Sequence, residues 1–166
     1  MKQRFDYQRL GKGLGALLLA SSLGMGRVQA EDAATTDIAR GRYLVQASAC
    51  NDCHTPGYPE AAGRVDEQLW LTGSDLGWRG PWGTTYPSNL RLVVQRLDEA
   101  QWLTHARNQW RPPMPWFNLR DMSNADLTAI YRYLRHLGPQ GAPAPAYVAP
   151  NQEPRGPYVL FPIALE

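Results

Sequence analysis

The chain of 166 residues has two cysteines, and both fall in one run, Cys50-Asn51-Asp52-Cys53-His54. No other feature restricts the fold so tightly, because two thiols three positions apart and the imidazole directly behind them have to be explained together. In an oxidising compartment such a pair tends to close into a disulfide, which leaves His54 without a role. A zinc site needs two further Cys or His ligands at suitable spacing. There is no second cysteine pair, and His105 and His136 stand apart from the run and from each other. A thiol-exchange site of the thioredoxin kind expects a strand–helix setting, and the sequence from Thr55-Pro56-Gly57 onward has no βαβ pattern.

Covalent haem accounts for all three side chains. Cys-x-x-Cys-His is the attachment signature of c-type haem. Two thiols at this spacing can each bond one vinyl group on the same edge of a porphyrin, and the adjacent histidine then lies beneath the iron, where its Nε2 can serve as the proximal ligand. A single haem c is therefore expected, attached through Cys50 and Cys53 and ligated by His54. For the opposite face Met114 is the expected ligand, carried in Arg111-Pro112-Pro113-Met114-Pro115-Trp116. A thioether raises the reduction potential relative to a second histidine, and the flanking prolines would stiffen its loop. Met122 is the rival, although its place just before Ser123 suits a hydrophobic staple. His105 would make the iron bis-histidine, but its polar neighbours Thr104, Arg107 and Asn108 suggest a solvated residue. His136, among Arg132 and Arg135, fits a charge–dipole role at a helix C-terminus.

Residues 1–30 have the layout of an export signal. Lys2, Arg4, Arg9 and Lys12 precede an apolar stretch from Leu14 to Leu23, and Val28-Gln29-Ala30 is a small-x-small cleavage pattern. The apolar run is about a dozen residues, against roughly 20 for a spanning helix. A periplasmic protein is expected, touching the membrane only through its signal, with an uncleaved anchor as the alternative. The whole chain carries 17 basic and 15 acidic residues. The first 30 residues hold five of the basic ones (Lys2, Arg4, Arg9, Lys12, Arg27) and one acidic (Asp6), which leaves 12 against 14 and a formal charge of −2. No lysine and no basic run remains, so nucleic acid is not an expected partner.

From Asp37 the spacing of Ile38, Gly41, Leu44, Val45 and Ser48 predicts a helix leading into Cys50, with Thr36 or Asp37 as its cap and a loose segment before it. Residues 55 to 90 are dense in Gly, Pro, Trp and Tyr and are expected to be ordered loops, with 66–71 a short helix or strand. A capping box of Asp98 and Gln101 starts a second helix, flanked by Leu97 and Trp102 as a staple, that runs to about Asn108. Ser123 caps a third, with Leu127, Ile130, Tyr131, Leu134 and Leu137 on one face and Gly138-Pro139 as its stop. Seven prolines between 139 and 162 predict an extended, polyproline-like tail. Three parts follow: a signal over 1–30, one domain over 31–138 and a Pro-rich tail over 139–166. Six Trp and eight Tyr suit a domain built around a flat apolar cofactor.

Over roughly residues 37 to 138 the chain resembles the class I c-type cytochromes. Gly41-Arg42-Tyr43-Leu44 before the haem motif is similar to that family's first helix. Met114-Pro115-Trp116, Met122-Ser123-Asn124-Ala125-Asp126-Leu127 and Ile130-Tyr131-Arg132-Tyr133-Leu134 are similar to its methionine loop and last helix. Tyr86-Pro87-Ser88-Asn89-Leu90 resembles a pattern in the cytochrome subunits of periplasmic dehydrogenases, although those usually carry several haem motifs. The resemblance implies an all-α fold whose first and last helices cross, here at Gly41 with Tyr131 or Leu134 filling the contact. Trp82, Tyr86 and Asn89 are candidates to reach the haem propionates. The implied function is single-electron transfer between redox partner proteins, from a dehydrogenase toward a terminal oxidase or another cytochrome, with no catalytic residues of its own. A haem enzyme or sensor with an open iron position, and a thiol–disulfide redox protein, are the alternatives.

Overall fold

The computed structural model describes residues 34–162. The expected signal over 1–30 lies outside them, as do the last four residues of the tail. The chain divides into two compact units, Met1–Thr36 and Asp37–Glu166, and the second is the one described here. Its first helix, α1, is described from residue 34 to 47. Residues 34–36 are thus helical rather than loose, and neither Thr36 nor Asp37 is a cap. The Asp37 carboxylate pairs with Arg132.

The spacing of Ile38, Gly41, Leu44, Val45 and Ser48 does mark the inner face of α1, since these are the buried or half-buried positions between exposed ones. That face crosses the last helix, α6 (Asn124–Leu137). A Cβ built on Gly41 would lie 2.1 Å from the carbonyl oxygen of Ala129 and 2.7 Å from Cβ of Tyr133, so only glycine admits this approach. Ala129 and Tyr133 fill the contact, not Tyr131 or Leu134. The hydroxyl of Tyr131 donates instead to the Leu97 carbonyl at 2.9 Å, and Leu134 is fully buried in the core. Arg40 Nε donates to Asp126 at 2.7 Å beside the crossing. Such exposed pairs contribute at most about 1 kcal/mol each, so the glycine contact decides the geometry.

Between these helices the chain forms α2 (Cys50–His54), a 3₁₀ turn over Glu67–Leu69, α3 (Leu90–Val93) continued by a 3₁₀ turn, α4 (Glu99–Ala106) and α5 (Trp116–Asp121). The α4 capping box is present in full. The Gln101 N–H donates to Asp98 at 2.8 Å, and the Asp98 N–H donates to Gln101 Oε1 at 2.9 Å. Ser123 caps α6, accepting from the Asp126 N–H at 3.1 Å, and Gly138 with φ of 71° ends it. Helix α3 starts at Asn89, whose side chain accepts from the Leu92 N–H at 3.0 Å. Helix α5 starts directly after Pro115, so the three prolines block a helix only upstream of it. One core gathers Val45, Trp70, Leu71, Val94, Leu127 and Leu134.

The described residues combine these helices with a small three-stranded sheet that an all-α reading does not contain. Strands β1 (Gly77–Gly80) and β2 (Gly83–Thr85) form an antiparallel hairpin, and β3 (Tyr158–Leu160) pairs parallel to β1 with Trp78 opposite Val159. The sheet order is β2-β1-β3. Strands of three or four residues are too short to carry a period-two signal, and β3 meets its partner across more than seventy positions. The tail is therefore not a free polyproline segment. Asn89 Nδ2 donates to the carbonyls of Gln140 and Ala142 at 2.8 and 3.1 Å. Thr84 and Val148 exchange backbone bonds of 2.8 and 3.0 Å. Among the described residues no helix is long and apolar enough to cross a membrane.

Candidate functional site

Ala49, with φ of 58°, breaks α1 from α2 and turns the chain so that α2 can run separately. In one helical turn, positions three apart share a face, which puts Cys50 and Cys53 on one side with His54 following. The turn is tied down by a buried chain of bonds. The Thr55 hydroxyl donates to Asn51 Oδ1 at 2.7 Å and accepts from the Leu71 N–H at 2.8 Å. The Gly73 N–H donates to the His54 carbonyl at 2.8 Å, and the Leu90 N–H donates to the Leu71 carbonyl at 3.0 Å. The segment at Leu71–Gly73 thus joins the Cys-x-x-Cys-His turn to the start of α3.

His54 is buried, and its Nδ1 lies 2.7 Å from the carbonyl oxygen of Ser88. A carbonyl only accepts, so Nδ1 carries the proton and Nε2 holds the free lone pair. Burial pushes the imidazole below its usual range, against a smaller upward pull from Ser88, which keeps the ring neutral. Among the described residues Nε2 has no hydrogen-bond partner. Such an orienting bond on the far nitrogen is what a ligating histidine requires.

Cys50, Cys53, His54 and Met114 all line one cavity of about 290 Å³, near the lower end of the range for small-molecule and cofactor sites. Its walls are mostly apolar and aromatic, among them Trp78, Leu90, Trp102, Leu119 and Ile130. Among the described residues no aspartate or glutamate lines it, and Arg111 is the one arginine that does. The thiols, the imidazole and the thioether expected from the sequence thus open on one apolar space, and that donor set fits a haem.

The lining holds more candidate ligands than Met114. Met122 lines the same cavity while packing on the core. His105 lines it too, which corrects the expectation of a solvated residue. Its ring stands 4.8 Å from that of Trp110 and stacks on Trp102 at 6.2 Å. Burial lowers its basicity. The sequence reading weighed the polar Thr104, Arg107 and Asn108, whereas Trp102 one turn back and Trp110 five positions on set the surroundings. His136 is exposed in the last turn of α6 and does not line the cavity.

Of the three residues considered for the propionates, Tyr86 lines the cavity, and Trp82 and Asn89 do not. Asn89 is committed to capping α3 and holding the tail. Trp82 Nε1 is buried without a partner among the described residues. The wall also includes Pro145 and Tyr147 from the tail, and the orienting group for His54 is the Ser88 carbonyl. Neither had a sequence signal, since a backbone carbonyl has no residue identity and the tail has no periodicity.

Both thiols are free and half-buried. Burial pushes Cys50 up to about 11 and raises Cys53 as well. A disulfide-exchange cysteine needs its thiolate stabilised, and these surroundings do the reverse. Among the described residues, no group of three or more His, Cys, Asp or Glu side chains is placed to hold a metal ion. No family model matches the chain, and neither a curated protein nor a solved structure matches it.

Proposed function

We propose that the protein is a monohaem cytochrome c of class I type that carries single electrons in an exported, periplasmic redox chain. It would take electrons from a dehydrogenase and pass them to a terminal oxidase or another cytochrome. One observation carries the reading: both thiols of the Cys-x-x-Cys-His run, an imidazole with only Nε2 available, and a proline-flanked methionine open on the same apolar cavity. The close crossing of α1 and α6 at Gly41 supports the class.

Cys50 and Cys53 would hold the porphyrin edge, and His54 and Met114 its iron. A haem so held would supply the one-electron couple. The protein's part is to fix the imidazole through Ser88, to keep water from the metal with Trp and Leu side chains, and to stay rigid so that little reorganises when charge changes. The raised thiol pKa values disfavour the thiol–disulfide alternative.

The test is the alkaline pyridine spectrum of denatured protein purified from cells competent to mature cytochromes. One haem per chain, bound through two thioethers, is the expected result. Colourless protein with both thiols open to alkylation overturns the reading. A haem-loaded ferric protein without the near-infrared sulfur-to-iron charge-transfer band would favour the enzyme or sensor alternative.

A further inference from the structure

The tail returns to the site as part of its wall. Tyr147 lines the cavity and touches the methionine loop: the guanidinium of Arg111 lies over its ring at 4.1 Å. Its hydroxyl donates to the Trp82 carbonyl at 2.7 Å. Tyr147 therefore bridges the β1–β2 turn and the loop that carries Met114. The next residue, Val148, is fixed by its paired backbone bonds to Thr84. Gly83 makes this docking possible. Its φ is +97°, and a Cβ there would stand 2.4 Å from the Val148 carbonyl oxygen and 2.8 Å from the Tyr147 hydroxyl.

The loop needs such a restraint. Residues 111–115 contain three prolines and lie outside any regular element, so few backbone bonds hold them. One of these bonds is at Pro112, whose carbonyl accepts from the Thr85 hydroxyl at 2.8 Å. Arg111 makes no ion pair or hydrogen bond among the described residues, and its face on Tyr147 is its one contact of that kind.

We propose that Tyr147 is a positioning residue, which clamps the methionine loop through Arg111 and so limits exchange of Met114 for small external nitrogen donors. The inference rests on the proposed haem site. In the exchange an external imidazole nitrogen would take the iron position that the Met114 sulfur would otherwise hold, with no electron transferred. A loop released from Tyr147 leaves more often, so the incoming donor competes better.

The test is titration of the ferric, haem-loaded protein with imidazole, following the charge-transfer band, for the wild type and for Tyr147→Ala, Tyr147→Phe and Arg111→Gln. Tyr147→Ala is expected to raise imidazole affinity about threefold to fivefold, as loss of an exposed cation–π contact allows. Tyr147→Phe, which keeps the ring over Arg111, should recover most of the wild-type value. The Tyr147→Ala, Arg111→Gln double variant should be no worse than either single one, because one contact is lost in each. Gly83→Ala, which cannot seat the tail, should raise it at least as much as Tyr147→Ala. A general loss of stability would lower the melting temperature without this pattern of rescue and non-additivity. Affinities within a factor of about 1.5 of wild type for Tyr147→Ala, or additive effects in the double variant, overturn the inference. A wild type without covalent haem, or without the charge-transfer band, instead overturns the proposed site and the inference with it.

Discussion

Gly41 and Ala129 stand so close that a Cβ on the glycine would lie 2.1 Å from the alanine carbonyl oxygen. That oxygen belongs to the α6 backbone and cannot move without moving the helix. Gly41→Ala would gain about 1 kcal/mol of helix propensity in α1. Forcing a methyl into a packed crossing costs typically 1–3 kcal/mol and occasionally more, and a contact this short belongs at the upper end. The net expectation is a loss of about 2 kcal/mol, read as a lower midpoint in denaturant. An unchanged or higher midpoint would mean that the helices do not cross here.

Arg91 is 2% exposed and has no carboxylate partner among the described residues. Its guanidinium donates to the carbonyls of Gly138 and Gln68, each at 2.6 Å, and to that of Leu137. Two of these acceptors lie at the C-terminal end of α6, where a positive charge is favoured. Arg91→Ala strands three carbonyls, and the expected loss is about 2–4 kcal/mol. Arg91→Lys should restore less than half, since a single ammonium cannot reproduce the planar fork. Thermal unfolding of the three proteins checks this, and full rescue by lysine would refute the fork.

Three side chains that line the cavity are rivals to ligate the iron of the proposed haem, and substitution separates them. Met114→Ala should abolish the sulfur-to-iron charge-transfer band and lower the reduction potential, the direction expected when a thioether ligand is lost. Met122→Ala should leave the band intact and cost about 2–5 kcal/mol at most, as for a methionine packed on the core. His105→Gln should also leave it intact. Loss of the band in the Met122 variant would reassign the ligand.

Burial lowers His105 below its usual value of 6.5, so the folded protein favours the neutral ring. The unfolded chain then binds the proton more readily, and stability rises with pH across the window between the folded value and 6.5. The contribution is whole above pH 6.5 and is lost as the pH falls below it. Denaturant midpoints of wild type and His105→Gln at pH 7.5 and 5 should therefore converge toward acid, with the variant less sensitive to pH. Equal slopes would place His105 in solvent.

The parts of this protein set by neighbours in sequence were legible before any coordinates. The α4 capping box, the Ser123 cap, the Gly138 stop and the inner face of α1 depend on side chains within four positions of one another, and backbone geometry makes that spacing meaningful. The Cys50–His54 run is of the same kind. One helical turn puts its two thiols on one side with the imidazole behind them, so the residue types alone suffice to propose its chemistry. Met114 could be nominated on its prolines, but not separated from Met122, because both rivals pack toward the same space.

Tertiary structure decided what depends on chain segments far apart. The Ser88 carbonyl that orients His54 and the strand Tyr158–Leu160 beside Gly77–Gly80 each need a partner tens of residues away, and neither leaves a periodic trace. The proline tail is the clearest case. Its composition specifies only an extended backbone without helical bonds, whereas its place at the cavity wall follows from Asn89, Thr84 and Gly83, whose approach to it is fixed by packing and not by any pattern in the tail itself.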